Sequence, residues 1–243
     1  MADAGDPREG GAMIEFLGDV VTWVASPGNW EGRGGIGNRL IEHITISAQT
    51  VALAAAIALP AGIAIGHRHR WPGLTTGVVN IARAIPSFAV VALALPFAIR
   101  MGLGIGYWPT FLALVLLALP PIFTNAVTAI RVVEPRVVEA ARGLGMRERE
   151  LLWQVEVPLA VPLILTGIRV AAVQVVATAT LGALVGWGGL GRFIVDGFAV
   201  QDNVRVFGGA LLVAFLAILT EFGFSALTRW RSPRGVPSPA VAR

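Results

Sequence analysis

The sequence predicts an all-α membrane protein, and three observations support that fold class. Hydrophobic residues make up 55% of the 243 residues and charged residues only 14%, whereas soluble domains carry about 25% charged residues. The mean hydropathy is +0.72. Five runs are long enough to cross a bilayer, and each carries at most one charged residue. We therefore expect five helices that cross the membrane and contact lipid.

Residues 1–40 are expected to form an extension outside the membrane domain. Residues 1–10 are polar and have no clear helical pattern, whereas residues 11–25 predict an amphipathic helix at the membrane interface. This segment is too short and too charged to span, and it lacks the basic start of a signal peptide. The apolar face consists of Met13, Phe16, Leu17, Val20, Val21 and Val24.

The five predicted spans lie in a membrane domain of residues 41–228, which a tail of residues 229–243 follows. Pro120 and Pro121 are expected to kink the third span, because proline removes a helical hydrogen bond. The expected bounds of the spans are 44–66, 74–99, 107–130, 159–185 and 206–228.

The distribution of arginine predicts the orientation of the chain. All 19 basic residues are Arg. With the N-terminus outside, the inner segments carry eleven Arg and the outer segments six. Positive charge concentrates on the cytoplasmic side of membrane proteins. We therefore expect a multi-pass membrane protein with the N-terminus outside and a cytoplasmic tail.

Three charged residues fall inside the predicted spans, and such residues are functional candidates by default. An ion pair between Arg169 and Glu221 would offset the cost of burying both charges. Contact of Arg169 with a solute is the alternative, and Glu221 is also near enough to the inner end of its span to reach water. Arg83 is expected to reach the inner interface or to line an inner vestibule.

A charged insert between the third and fourth spans is expected to form two short helices. Pro135 suits the first turn of a helix, and Gly143 and Gly145 predict its end. Residues 146–156 predict the second helix, which Pro158 ends. Helix stops, small residues and an apolar stripe together favour a docking surface over a solvated loop. The apolar stripes are Val138, Ala141 and Leu144 in the first helix, and Leu151, Leu152 and Val155 in the second.

Several chemistries are not expected in this chain. It has no Lys, so it cannot hold a Walker A loop. Residues 186–191 match G-x-G-x-x-G, but they follow a membrane span rather than a strand, which predicts a sharp turn rather than a dinucleotide site. There is no Cys, and the three His do not form a metal-binding set. We expect no catalytic residue, metal, cofactor or nucleic-acid partner.

The insert resembles the EAA signature of bacterial ABC importer permeases. Glu139-Ala140-Ala141, three residues, Gly145, nine residues and then Val155-Glu156-Val157-Pro158 follow the family pattern E-A-A, three, G, nine, I-x-L-P. Val155 and Val157 replace the usual Ile and Leu, a small difference in volume. The resemblance runs from about residue 43 to residue 228.

This resemblance implies a type I importer core of five helices, with the insert as the coupling helix that contacts a separate cytoplasmic ABC ATPase. It further implies a second permease copy or a paralogue, and an extracytoplasmic solute-binding protein. On this basis the chain is a transport subunit of the bacterial plasma (inner) membrane, and ATP is hydrolysed on another chain. The coupling residues expected are Glu139, Ala140, Ala141, Leu144, Gly145 and Pro158.

Residues 83–96, 119–130 and 167–191 resemble permeases for glycine betaine, carnitine and choline. Methionine-type permeases share the core and are the nearest alternative. An ion-coupled carrier that uses Arg169 and Glu221 as relay groups is a further alternative, and a membrane-bound enzyme is disfavoured because convergent catalytic groups are missing. Aromatic faces attract quaternary ammonium groups. The possible pathway aromatics are Phe88, Phe123 and Trp187.

Overall fold

The structure is a computed structural model that describes residues 7–68, 73, 77, 78 and 86–231. Over these residues it contains helices and connecting turns and no strand. Arg83, most of the first half of the predicted second span, and the tail beyond residue 231 lie outside the described residues.

The described residues form long apolar helices with shorter helices between them. A π-helical turn, Leu152–Glu156, joins α6 to α7, and a 3-10 helix, Ala179–Val185, continues α7. The helices are α1 (Pro7–Ala25), α2 (Ile36–His67), α3 (Ser87–Arg100), α4 (Tyr107–Arg131), α5 (Pro135–Gly143), α6 (Glu148–Leu151), α7 (Val157–Thr178), α8 (Gly191–Ala199) and α9 (Asn203–Arg231).

Four helical segments of the described chain are long and apolar enough to cross a membrane. They are α2, α4, the continuous run Glu148–Val185 and the Asn203–Thr228 part of α9. With 32 residues, α2 is about 48 Å long at 1.5 Å per residue, so it extends well beyond a hydrocarbon core of about 30 Å. The all-α membrane fold class is confirmed.

The core forms where α2, α4 and α7 pack together around small residues. A Cβ atom added to Gly62 would lie 2.7 Å from the Cβ of Ala126, and one added to Gly66 would lie 2.9 Å from the Cβ of Ile130. On the other side of α4, a Cβ at Gly167 would lie 2.5 Å from the Cβ of Asn125. Glycine at these positions lets the helices approach closely, as membrane helices commonly do.

The N-terminal helix α1 packs against α8 and α9 through aromatic contacts. The ring centroids of Phe16 and Phe207 are 5.6 Å apart, and those of Trp23 and Phe193 are 5.3 Å apart. The predicted apolar face is therefore divided. One half contacts the protein, and the other half is exposed at Met13, Leu17 and Val21.

Candidate functional site

The first helix of the insert begins and ends where the sequence predicts. Pro135 occupies its first turn, and Gly143 is its last residue. The N–H of Gly145 donates to the carbonyl of Arg142 at 2.9 Å, and the N–H of Met146 donates to that of Ala141 at 3.2 Å. These two bonds make a Schellman motif, in which Gly145 adopts the left-handed conformation with φ of 85°.

The Schellman turn presents an apolar side chain at the tip of the insert. Leu144 is 85% exposed. Glu139 and Ala140 are also exposed, whereas Ala141 is only 6% exposed and faces the rest of the chain. The sequence prediction grouped Ala141 with Leu144 on one face, but the turn directs the two residues to different surroundings. Val137 in α5 and Trp153 in the helical run that follows are further exposed apolar residues of the insert, and the sequence motifs do not indicate them.

The second short helix does not end before the fourth span as predicted. Glu148–Val185 is one helical run. Within it, the N–H of Val157 donates to the carbonyl of Leu152, a five-residue spacing typical of a π turn. The wider turn relieves the clash between a proline ring and the carbonyl four residues earlier, so Pro158 enters the helix without breaking it.

Ion pairs connect the two parts of the insert to the C-terminal end of α2. The Arg142 guanidinium binds Glu148 through two hydrogen bonds of 2.9 and 3.1 Å, which raise the pKa of Arg142 above its usual value. The His67 Nδ1 atom lies 2.6 Å from Glu156 Oε2, and its Nε2 atom lies 3.4 Å from Glu148 Oε2. Glu156 is only 2% exposed.

The glycine-rich loop at residues 186–191 is held by the beginning of α2. The N–H of Gly189 donates to Glu42 Oε2 at 2.8 Å, and the N–H of Leu190 donates to His43 Nδ1 at 3.3 Å. The His43 Nε2 atom lies 2.8 Å from the carbonyl oxygen of Val176. Because Nδ1 accepts, Nε2 carries the proton and donates, so His43 is neutral. The loop is a tight turn against protein groups, in accord with the sequence interpretation.

The structure brings the two charged residues of the fourth and fifth predicted spans together. Arg169 Nη1 lies 3.3 Å from Glu221 Oε1 and donates to Ser225 Oγ at 3.0 Å. This contact joins α7 to α9. The arrangement supports the pairing interpretation, because each charge lies beside an opposite or polar group.

Arg169→Met is expected to lower the thermal stability of the chain, because it leaves the Glu221 carboxylate without its cation in a membrane span. The double variant Arg169→Met/Glu221→Leu is expected to recover stability, with a coupling energy on the order of 1 kcal/mol. Thermal unfolding in detergent measures this cycle. A structural pair also predicts that the stable double variant retains uptake, whereas a relay or solute-contact role predicts a stable double variant that is inactive in uptake.

The three candidate pathway aromatics lie in different surroundings. Phe123 and Trp187 are partly buried against the core of α2, α4 and α7, whereas Phe88 is exposed on α3. The Trp187 ring packs edge-on against Tyr107 with 5.0 Å between centroids. Within the described part of the chain no ring contact joins the three, and no cluster of three or more His, Asp or Glu suited to a metal ion is found.

The sequence of residues 58–234 matches the family of the binding-protein-dependent transport system inner membrane component. The chain belongs to this family. It is therefore a multi-pass transport subunit of the inner membrane. The family name also states that its members work with a binding protein.

Curated relatives show which permeases within the family this chain is similar to. It is 36% identical to the carnitine transport permease protein OpuCB of Listeria monocytogenes, over 80% of this chain and 87% of the relative. It is 35% identical to the choline transport system permease protein OpuBB of Bacillus subtilis, over 80% and 88% of the two chains. The predicted resemblance to osmoprotectant ABC permeases is confirmed.

Solved structures confirm the fold of the permease. An inward-facing structure of the MetNI methionine ABC transporter gives a TM-score of 0.70 over 79% of this chain and 94% of that chain, at 22% identity. At this identity the likeness is one of fold. It identifies the helical arrangement as that of a type I ABC importer.

Proposed function

We propose that the permease forms the translocation path of an ATP-driven importer for small quaternary ammonium osmoprotectants. The main observation behind the proposal is the insert, which has the EAA spacing and whose first helix ends in a Schellman turn that exposes Leu144. Relatives named as carnitine and choline transport permeases match most of the chain.

The insert supplies the surface for a cytoplasmic ATPase. Glu139, Ala140 and Leu144 are exposed together, and Gly145 shapes the turn between them and α6. An apolar side chain that is 85% exposed at the tip of a charged segment is a good anchor for a pocket on a partner. Ala141 supports this surface from within, because it is buried against the rest of the chain.

Two permease subunits, identical or paralogous, would line the path at their interface. The N-terminus lies outside and residues 229–243 lie in the cytoplasm, which puts the insert beside the ATPase. ATP binding closes the ATPase dimer, and each insert transmits that movement to α4 and α7, the helices on either side of it. The path then opens outward and accepts solute from the binding protein.

The charge of the solute suits aromatic rings better than acidic groups along the path. Trp187 and Phe123 border the packed core, and the Trp187 indole N–H has no hydrogen-bond partner among the described residues. Aromatic faces attract quaternary ammonium groups with about 0.5–2 kcal/mol each. Such weak attraction lets a solute enter and leave, while the binding protein provides the selectivity.

Uptake of labelled glycine betaine tests this function. The permease, its ATPase and its binding protein are expressed in a host without its own osmoprotectant importers. We expect ATP-dependent uptake that unlabelled choline or carnitine reduces and methionine leaves unchanged. Uptake of methionine without uptake of betaine would retain the permease and contradict the osmoprotectant assignment. Uptake that persists without the ATPase would support an ion-coupled carrier instead.

A further inference from the structure

The end of α2 is attached to the insert by a histidine that lies between two carboxylates. His67 is the last residue of α2, and both carboxylates belong to the helical run that begins at Glu148. The short contact joins His67 Nδ1 to Glu156 Oε2 at 2.6 Å, and the longer one joins Nε2 to Glu148 Oε2 at 3.4 Å. Each ring nitrogen therefore faces an acceptor.

The short contact is a hydrogen bond between the His67 imidazole and the Glu156 carboxylate. An ionised carboxylate only accepts hydrogen bonds, so the His67 Nδ1–H donates to Glu156. Glu156 is 2% exposed, so its carboxylate depends on a cation for its burial. Among the described residues, the hydrogen-bond partner of the Glu156 side chain is His67. The pair is a charge-assisted bond between segments separated by 89 residues in the sequence.

The π turn explains how two acids eight positions apart reach the same ring. An α-helix turns about 100° per residue, so Glu148 and Glu156 in an uninterrupted α-helix would lie about 80° apart around the axis. The π turn Leu152–Glu156 adds one residue to the helical repeat. The eight-residue spacing then corresponds to about two turns, and both carboxylates lie on the face that meets His67.

We propose that His67 and Glu156 are positioning residues that lock the C-terminal end of α2 to the insert. Glu148 completes the lock and also binds Arg142, which extends it into α5. Movement of the insert then carries α2 together with α4 and α7, rather than α4 and α7 alone. This inference rests on the proposed function, because it assigns the lock to the transmission of ATPase movement.

Transport by the full importer in proteoliposomes tests the lock. Glu156→Gln keeps the shape of the side chain and removes its charge. We expect solute uptake per ATP hydrolysed to fall about tenfold, with binding-protein-stimulated ATP hydrolysis within about twofold of wild type. The reversed pair His67→Glu/Glu156→His is expected to recover at least half of the uptake. Glu31→Gln, an exposed acid far along the chain from the insert, is the matched control.

A second measurement needs only the full chain in nanodiscs. The protein has no Cys, so Arg68→Cys and Arg149→Cys give two unique spin-label sites. The first site follows the C-terminal end of α2, and the second lies in the insert. We expect one narrow distance distribution in the wild-type background and a broader one with Glu156→Gln.

The two measurements distinguish a failure of the proposed transport function from a failure of the proposed lock. If the wild-type importer moves no osmoprotectant, the proposed function is wrong, and the spin-label distances still test the attachment of α2. An unchanged distance distribution in Glu156→Gln overturns the lock. A parallel fall of uptake and ATP hydrolysis, with uptake per ATP unchanged, also overturns it and indicates a role in assembly alone.

Discussion

Replacement of Gly145 by Asp is expected to lower ATP-driven uptake by about 50-fold or more while the permease still folds. No atom lies within 4 Å of a Cβ built at this position, so the substitution causes no clash. It adds a negative charge beside the negative end of the α5 dipole, within the surface that we propose meets the ATPase. Uptake by the full importer and the amount of folded permease in the membrane measure the two effects.

Two matched variants separate charge from backbone conformation. Gly145→Asn has nearly the same shape as Asp and tolerates a positive φ, so we expect it to retain most of the uptake. Gly143→Ala lies in the same insert, has open space around it and no positive φ, and should transport like wild type. Full uptake with Gly145→Asp would show that the insert does not couple the permease to its ATPase.

The parts of the fold that the sequence predicts are those with local causes. A run without charges from residue 107 to residue 130 corresponds to α4, since a hydrocarbon layer excludes charge along about 20 residues. The end of α5 was predictable for a similar reason, because the left-handed turn at Gly145 is costly for residues with a side chain. Both rules concern neighbouring residues.

The parts that the sequence does not predict depend on distant partners. Pro158 favours a helix end by local rules, but the π turn that precedes it makes the proline compatible with a continuous helix. From the sequence alone, His67 has no role beyond its exclusion from a metal-binding set, and its contact depends on Glu156, 89 residues away. His43 likewise depends on Val176, 133 residues away. Only the tertiary structure brings such partners together.

The charged residues within the spans were an intermediate case. Two opposite charges in otherwise apolar segments predict a pair, because an isolated charge there is costly. Arg169 and Glu221 lie together in the structure, but the additional contact of Arg169 with Ser225 depends on the rotation of α9 about its axis. The sequence therefore predicts that the two residues form an ion pair, but it does not predict the full geometry of that pair.

Gly191→Ala is expected to destabilise the permease by about 3 kcal/mol, at the upper end of overpacking effects. An added Cβ would overlap the carbonyl oxygen of Thr180 and lie 2.7 Å from its Cα. Backbone atoms cannot turn aside as a side chain can, so the 3-10 helix and α8 would have to separate. Thermal unfolding of the purified chain in detergent measures the loss, and Gly143→Ala should leave stability unchanged or slightly raised.

Gly188→Ala, in the same glycine-rich loop, is the comparison that shows why Gly191→Ala loses stability. Its Cβ would overlap the carboxylate of Glu42, which can rotate away at the cost of its bond to the Gly189 N–H. We expect a smaller loss of about 1.5 kcal/mol, the value of one charge-assisted hydrogen bond. This ranking follows only if the glycines serve packing and the attachment to α2. A nucleotide site would give a different result, since added ATP would then stabilise the wild-type chain and fail to stabilise both variants.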